Sequence, residues 1–183
     1  MRYDTIGWDF SIDTDLFTFR IAPVEQQGFS VRHRANEATL YCPVGKMSDS
    51  FDFQLWLRKA IREVLREQAR RLFPPMLRMW SEKTGLHYHR LGIHMTSSKW
   101  GSYSSLGNLN LSVYLLLMDA RFVDYTMCHE LCHSVEMNHG AAFWSLLDSM
   151  LGCDARLLGK EMNGIVKQWY GQGDARCLLI SGR

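Results

Sequence analysis

Four residues between positions 129 and 139 have the types and spacing for hydrolytic chemistry: His129, Glu130, His133 and His139. Successive helical residues turn by about 100°, so His129 and His133 project within roughly 40° of each other, one turn apart. Both imidazoles can then reach a single cation, with Glu130 beside them. A catalytic zinc takes three neutral nitrogens and keeps a fourth position open, where it draws the pKa of a water towards neutrality. A neighbouring carboxylate that does not coordinate can accept that water's proton and pass it to a leaving amine. His139 is the nearest third ligand, flanked by Asn138 and Gly140, which tolerate the bend that would bring it back. Glu161, 28 residues after His133, is the alternative, as in a glutamate-type site.

The elements around this constellation must position it. Asp119 is a plausible N-cap for a helix running to about Met137, with Cys128, Leu131 and Val135 on the side away from the histidines as core anchors. That apolar face argues against a merely solvated, histidine-rich helix. A further helix carrying Phe143, Trp144, Leu147 and Leu151 ends near Gly152, and another is expected around 157–170, followed by a glycine-rich turn. Upstream, residues 15–22 alternate as a strand, 29–43 read as a hairpin turning at Asn36, and Leu91, Ile93 and Met95 alternate in a short strand. Leu109, Leu111, Val113 and Leu115 alternate with Asn108, Asn110, Ser112 and Tyr114 in a half-buried strand. Between them, Trp56, Ala60, Ile61, Val64, Leu65 and Leu72 recur at helical spacing after Ser48 or Asp49, and Pro74 with Pro75 is expected to break or kink that helix.

The remaining histidines and cysteines are weaker candidates. His87 and His89 would share a strand face without a third ligand nearby, and His33 and His94 read as ordinary strand histidines. Cys132 points away from His133 on the helical wheel and reads as a buried thiol. The five cysteines form no C-x-x-C pair, which argues for a reducing compartment. The acidic first twenty residues do not read as a signal peptide, and the aliphatic run 113–118 is too short to cross a bilayer, so a cytoplasmic location with no membrane partner is expected. At 183 residues and a net charge of +2, one domain of average globular composition is expected. Residues 58–71 carry six basic side chains against Glu63 and Glu67, a helix face that is either solvated or turned towards phosphates.

The sequence resembles the YgjP-like metallopeptidase family, related to SprT-like proteases and minigluzincin-type folds. The resemblance rests on Ser97, Ser98, Lys99, Trp100, Gly101 and Ser102, then the run Gly107, Asn108, Leu109, Asn110 and Leu111, then Asp124 and Tyr125. It continues through His129, Glu130, Leu131, Cys132 and His133, the run Glu136, Met137, Asn138 and His139, and Phe143 with Trp144, and extends faintly back to the 29–43 hairpin, covering 29–152. It implies a Zn2+ ion on His129, His133 and His139, Glu130 as catalytic base, and a small antiparallel sheet above the active-site helix. Tyr103 departs from the family, whose loop usually has cysteine there. Metzincins share the spacing of the third histidine, but Glu136 stands where they have glycine, so the bend must be made differently here.

The expected fold is α+β: a small antiparallel sheet packed on helices, with a zincin-like core. The expected regions are an N-terminal strand and hairpin region at 1–48, the metallopeptidase core at 49–152 and a helical extension at 153–183. The expected function is a zinc metallopeptidase acting on extended polypeptide, which would pair with the 108–114 strand at the cleft edge. Trp100, Tyr103, Asn108 and Asn110 are the candidate substrate contacts, although the asparagines fit a solvated outer face equally well; Tyr103 or Tyr114 could supply the second oxyanion donor. The alternatives are a zinc hydrolase of nucleotide phosphoanhydrides and a nucleic-acid-associated SprT-like protease or adaptor, either using the basic helix 58–71.

Overall fold

Alternating apolar residues in the first fifty positions build a four-stranded sheet in a computed structural model that describes residues 5–172, 174 and 176–180. Its strands are β1 (Ser11–Asp13), β2 (Thr18–Val24), β3 (Ser30–Arg34) and β4 (Glu37–Pro43), in the order β1-β2-β4-β3. The hairpin expected at 29–43 is present as β3 and β4, which pair antiparallel. Strand β4 inserts between β2 and β3, so it runs parallel to β2. Phe19, Ile21, Ala38, Leu40 and Cys42 fill the inner face.

The helix α1 (Phe51–Thr84) packs beneath both sheets and ends at Gly85, whose φ of 71° makes the left-handed cap that glycine adopts without cost. It starts after Ser50, one or two residues later than the caps expected from the sequence. It also runs unbroken through Pro74 and Pro75. Two adjacent prolines remove two backbone donors, but Phe73, Leu77 and Trp80 are buried on either side of them, and this packing outweighs the local preference to stop. Gln54 ties the N-terminal segment to the helix, accepting from Ile6 N at 2.8 Å and donating to Ile6 O at 3.0 Å.

The second sheet repeats the insertion pattern of the first. Strands β5 (Arg90–His94), β6 (Gly101–Tyr103) and β7 (Asn108–Ser112) lie in the order β5-β7-β6, with β7 parallel to β5 and antiparallel to β6. The α+β class is as expected, but both sheets are mixed where an antiparallel sheet was expected. Alternation identifies a strand and leaves its direction open. The 108–114 strand stops at Ser112, whose hydroxyl donates to Thr96 O at 2.7 Å, and a buried 3-10 turn (Val113–Leu117) follows. Because β7 is central in its sheet, β6 and β5 are the free edges.

Four helices complete the chain: α2 (Ala120–Cys132), α3 (Ala141–Leu151), α4 (Ala155–Gln172) and α5 (Arg176–Ile180). One buried cluster runs from Ile6 to Ile180, so the three expected regions share a core. The glycine-rich turn expected near the C-terminus falls partly on residue 173, outside the described residues. No helix among the described residues is long and apolar enough to cross a membrane.

Helix α2 ends at Cys132, about a turn earlier than expected. The chain turns at once, with Ser134 Oγ donating to Leu131 O at 2.7 Å and Glu136 N to Cys132 O at 2.9 Å. Cys128 and Leu131 anchor the core as expected, but Val135 lies past the turn and is 59% exposed. Denaturant unfolding should therefore separate the two kinds of apolar residue: Phe73→Ala should cost about 3–5 kcal/mol, and Val135→Ala should change stability by no more than about 0.5 kcal/mol.

Candidate metal centre

His129 and His133 stand one turn apart at the end of α2, and the turn after Cys132 swings His139 back over them. The three ring centroids are 4.8–5.2 Å apart, and one nitrogen from each imidazole falls within a group spanning 4.8 Å. Phe143 of α3 is the common floor, with its ring centroid 4.9, 4.9 and 4.6 Å from those of His129, His133 and His139. Trp144 Nε1 donates to His139 O at 3.0 Å and fixes the backbone of the third histidine.

Hydrogen bonding sets the tautomer at His133. Its Nδ1 lies 2.9 Å from Glu136 O; a carbonyl only accepts, so Nδ1 carries the proton and Nε2 keeps its lone pair. Glu136, which replaces the glycine of metzincins, contributes through its backbone. Nε2 of His129 and of His139 face each other at 2.9 Å, while Nδ1 of His129 is buried without a hydrogen-bond partner among the described residues. Burial first, then the neighbouring His133 and His139, pushes His129 down to about 4; burial and His133 also lower His139. These two rings are therefore uncharged at neutral pH and available as ligands.

This donor set fits zinc. Nitrogens about 2.0–2.1 Å from one tetrahedral ion stand roughly 3.3 Å apart; here the facing nitrogens of His129 and His139 are 2.9 Å apart and the whole group lies within 4.8 Å. The group contains three imidazoles and neither thiolate nor carboxylate, so a fourth position would stay open. A Zn2+ ion would be held by His129, His133 and His139. Glu161, the alternative ligand, is instead clamped by Arg121 through two hydrogen bonds.

Glu130 is the buried acid of the site, only 7% exposed. Burial pushes its carboxyl up to about 7, partly opposed by the Lys99 ammonium. The edge strand β6 comes close to it at Gly101, where a Cβ would lie 2.7 Å from Glu130 Cγ and Oε1. Glycine at 101 permits this approach, which the sequence reading did not single out.

The substrate contacts expected from the sequence are only partly gathered at this site. Trp100 lines the cavity of about 260 Å3 that opens on His129 and Glu130. Tyr103 does not line it, and its hydroxyl donates to His87 O at 3.1 Å. Asn110 lies on the outer face of β7, opposite buried Leu109 and Leu111, and its side chain bonds His94 Nε2 at 3.0 Å and Ser102 Oγ at 3.3 Å. Asn108 shares that outer face, where its backbone N–H donates to Ser104 Oγ. Tyr114 is buried in the 3-10 turn. Strand β7 cannot receive a peptide edge-on, because both of its sides are paired. The other histidines stay apart from the cluster: His33 contacts Glu67 and Gln68, and His89 contacts Leu106 O. Cys132 is buried against Met150, its thiol pushed up to about 12 by burial.

Tyr125, Thr126, Gly159, Met162 and Asn163 also line the cavity and were not selected from the sequence as site residues. Tyr125 stands one turn before His129, a detectable spacing. The α4 residues are brought in by tertiary packing alone.

Glu130 holds its proton more tightly folded than unfolded, so in metal-free protein its contribution destabilises as pH rises from the ordinary 4.5 through about 7. Glu130→Gln should accordingly be more stable than the parent above pH 7, by about 2–3 kcal/mol, with no difference below pH 4.5. Thermal unfolding in the presence of a chelator measures this.

The family model described as YgjP-like, metallopeptidase domain matches residues 26–157. No curated protein and no solved structure matches the chain. That match spans most of the chain, including all three histidines, Glu130 and the β6 edge beside them, and the chain belongs to the YgjP-like metallopeptidase domain family.

Proposed function

We propose that the chain is a zinc-dependent peptidase that cleaves extended polypeptide, with His129, His133 and His139 as ligands and Glu130 as general base. The observation that carries this reading is a buried carboxylate with a pKa near neutrality, set beside three convergent imidazoles and a free sheet edge. Zinc, when bound, supplies a Lewis acid that polarises the peptide carbonyl and acidifies water. Glu130 accepts a proton from the attacking water as the new C–O bond forms. It then delivers that proton to the amine nitrogen as the C–N bond breaks. His133, held by Glu136 O, keeps its lone pair aimed at the ligand group.

Strand β6 is the edge best placed to receive substrate. A peptide added there would pair main chain to main chain, whatever its side chains, and Gly101 would let it pass beside Glu130. Lys99 is the only lysine or arginine lining the cavity among the described residues, whereas a nucleoside triphosphate would call for several cations. This favours peptide over phosphoanhydride chemistry.

A separate groove supports a second reading, nucleic-acid association. Arg66 and Arg70 of α1 and Arg90 of β5 line it together at the sheet edge opposite β6. Affinity for single-stranded DNA should fall steeply with salt, and Arg70→Ala should reduce the slope of log affinity against log salt by about one. A slope near zero in the parent protein removes this reading.

Glu130→Gln should retain zinc by metal analysis and lose about 10²–10⁴-fold in kcat on an unfolded protein substrate. His139→Ala should lose the metal together with the activity. Full activity in Glu130→Gln would refute its role as the base.

A further inference from the structure

The cavity beside Glu130 has a wall from outside the matched family domain. That match ends at residue 157, whereas Gly159, Met162 and Asn163 of α4 face Tyr125, His129 and Glu130 of α2 and Lys99, Trp100 and Gly101 at the start of β6. Helix α4 reaches this position because residue 159 has no side chain: a Cβ there would lie 2.5 Å from Tyr125 Oη. Glycine is disfavoured within a helix, and this one caps nothing; the close approach to Tyr125 accounts for it. The dimensions are those of a pocket for part of a ligand, since about 260 Å3 falls below the range typical of whole small-molecule sites.

We propose that this cavity is the specificity pocket of the site. It takes the uncharged side chain, of the leucine, methionine or phenylalanine class, of a substrate residue next to the cleaved bond. The proposal rests on the peptidase reading above and names the substrate class for it. The rings of Trp100 and Tyr125 and the buried Met162 offer apolar surface on three sides. The Lys99 ammonium and the Glu130 carboxyl both line the pocket, so a charged side chain of either sign meets a like charge beside an opposite one and gives up its hydration without a net gain. A neutral side chain meets neither penalty and gains burial. Asn163, exposed on α4, lines the pocket on its solvent-facing side.

Peptide hydroxamates that differ only in one side chain test the pocket by binding as well as by turnover. On the zinc-loaded full chain, calorimetry should give the leucine and phenylalanine compounds at least about tenfold tighter binding than the glycine compound. The glutamate and lysine compounds should gain nothing over glycine. In Asn163→Trp the leucine-to-glycine ratio should fall towards one, while Lys167→Ala, on the same helix and outside the pocket, should keep the parent ratio. The cleavage preference among matching peptides should move in parallel. A parent ratio near one, or a ratio undiminished in Asn163→Trp, would overturn the pocket even if peptides are cleaved. Zinc-loaded protein that neither cleaves peptides nor binds any of the hydroxamates would sink the peptidase reading and this proposal with it.

Discussion

The ring of Phe143 is the surface on which the site is assembled. It lies within 5 Å, centroid to centroid, of all three imidazoles, which come from the end of α2 and from the turn beyond it. An imidazolium pressed against an apolar ring and two further imidazoles loses its hydration and meets like charge, so the neutral form prevails, as at His129. The uncharged rings of His129 and His139 then present their lone pairs beside Nε2 of His133, the condition a divalent cation needs. Helix α3 matters to this site chiefly because it carries Phe143 and the neighbouring Trp144.

A second constraint is the approach of β6 to α2. Only glycine at 101 allows it, and it helps keep Glu130 from solvent. A carboxylate that burial leaves half protonated near neutral pH is costly for the isolated fold and suited to proton transfer. The same approach leaves the free edge of the three-stranded sheet alongside the carboxylate. The carboxyl and an unpaired strand edge are thus brought side by side by one contact.

How legible each part was depends on the distance over which its physics acts. Helical spacing between His129 and His133 is local, so their juxtaposition could be read directly. The return of His139 was legible as a bend between permissive residues, but the bend begins at His133 because Ser134 and Glu136 close the turn there, leaving Val135 outside the core. Pro74 and Pro75 mark a local break that the burial of Phe73 and Leu77 overrides. Alternation located β2, β3, β4, β5 and β7 but not the three-residue strands β1 and β6, and the insertion of β4 and of β7 between earlier strands depends on pairing among distant residues. That insertion makes β7 central, where a cleft-edge strand was expected, and leaves β6 at the edge.

The sequence by itself determined which groups stand together: His129 and His133, paired by the 3.6-residue period of one helix, with Glu130 beside them and His139 close in the chain, together with the α+β class set by patterning. Only the tertiary structure decided which surfaces surround those groups. Helix α4 reaches Tyr125 through Gly159, and β6 reaches Glu130 through Gly101, across separations of 34 and 29 residues. Contacts of that kind follow from packing complementarity between whole elements, and a missing side chain leaves no local pattern to read.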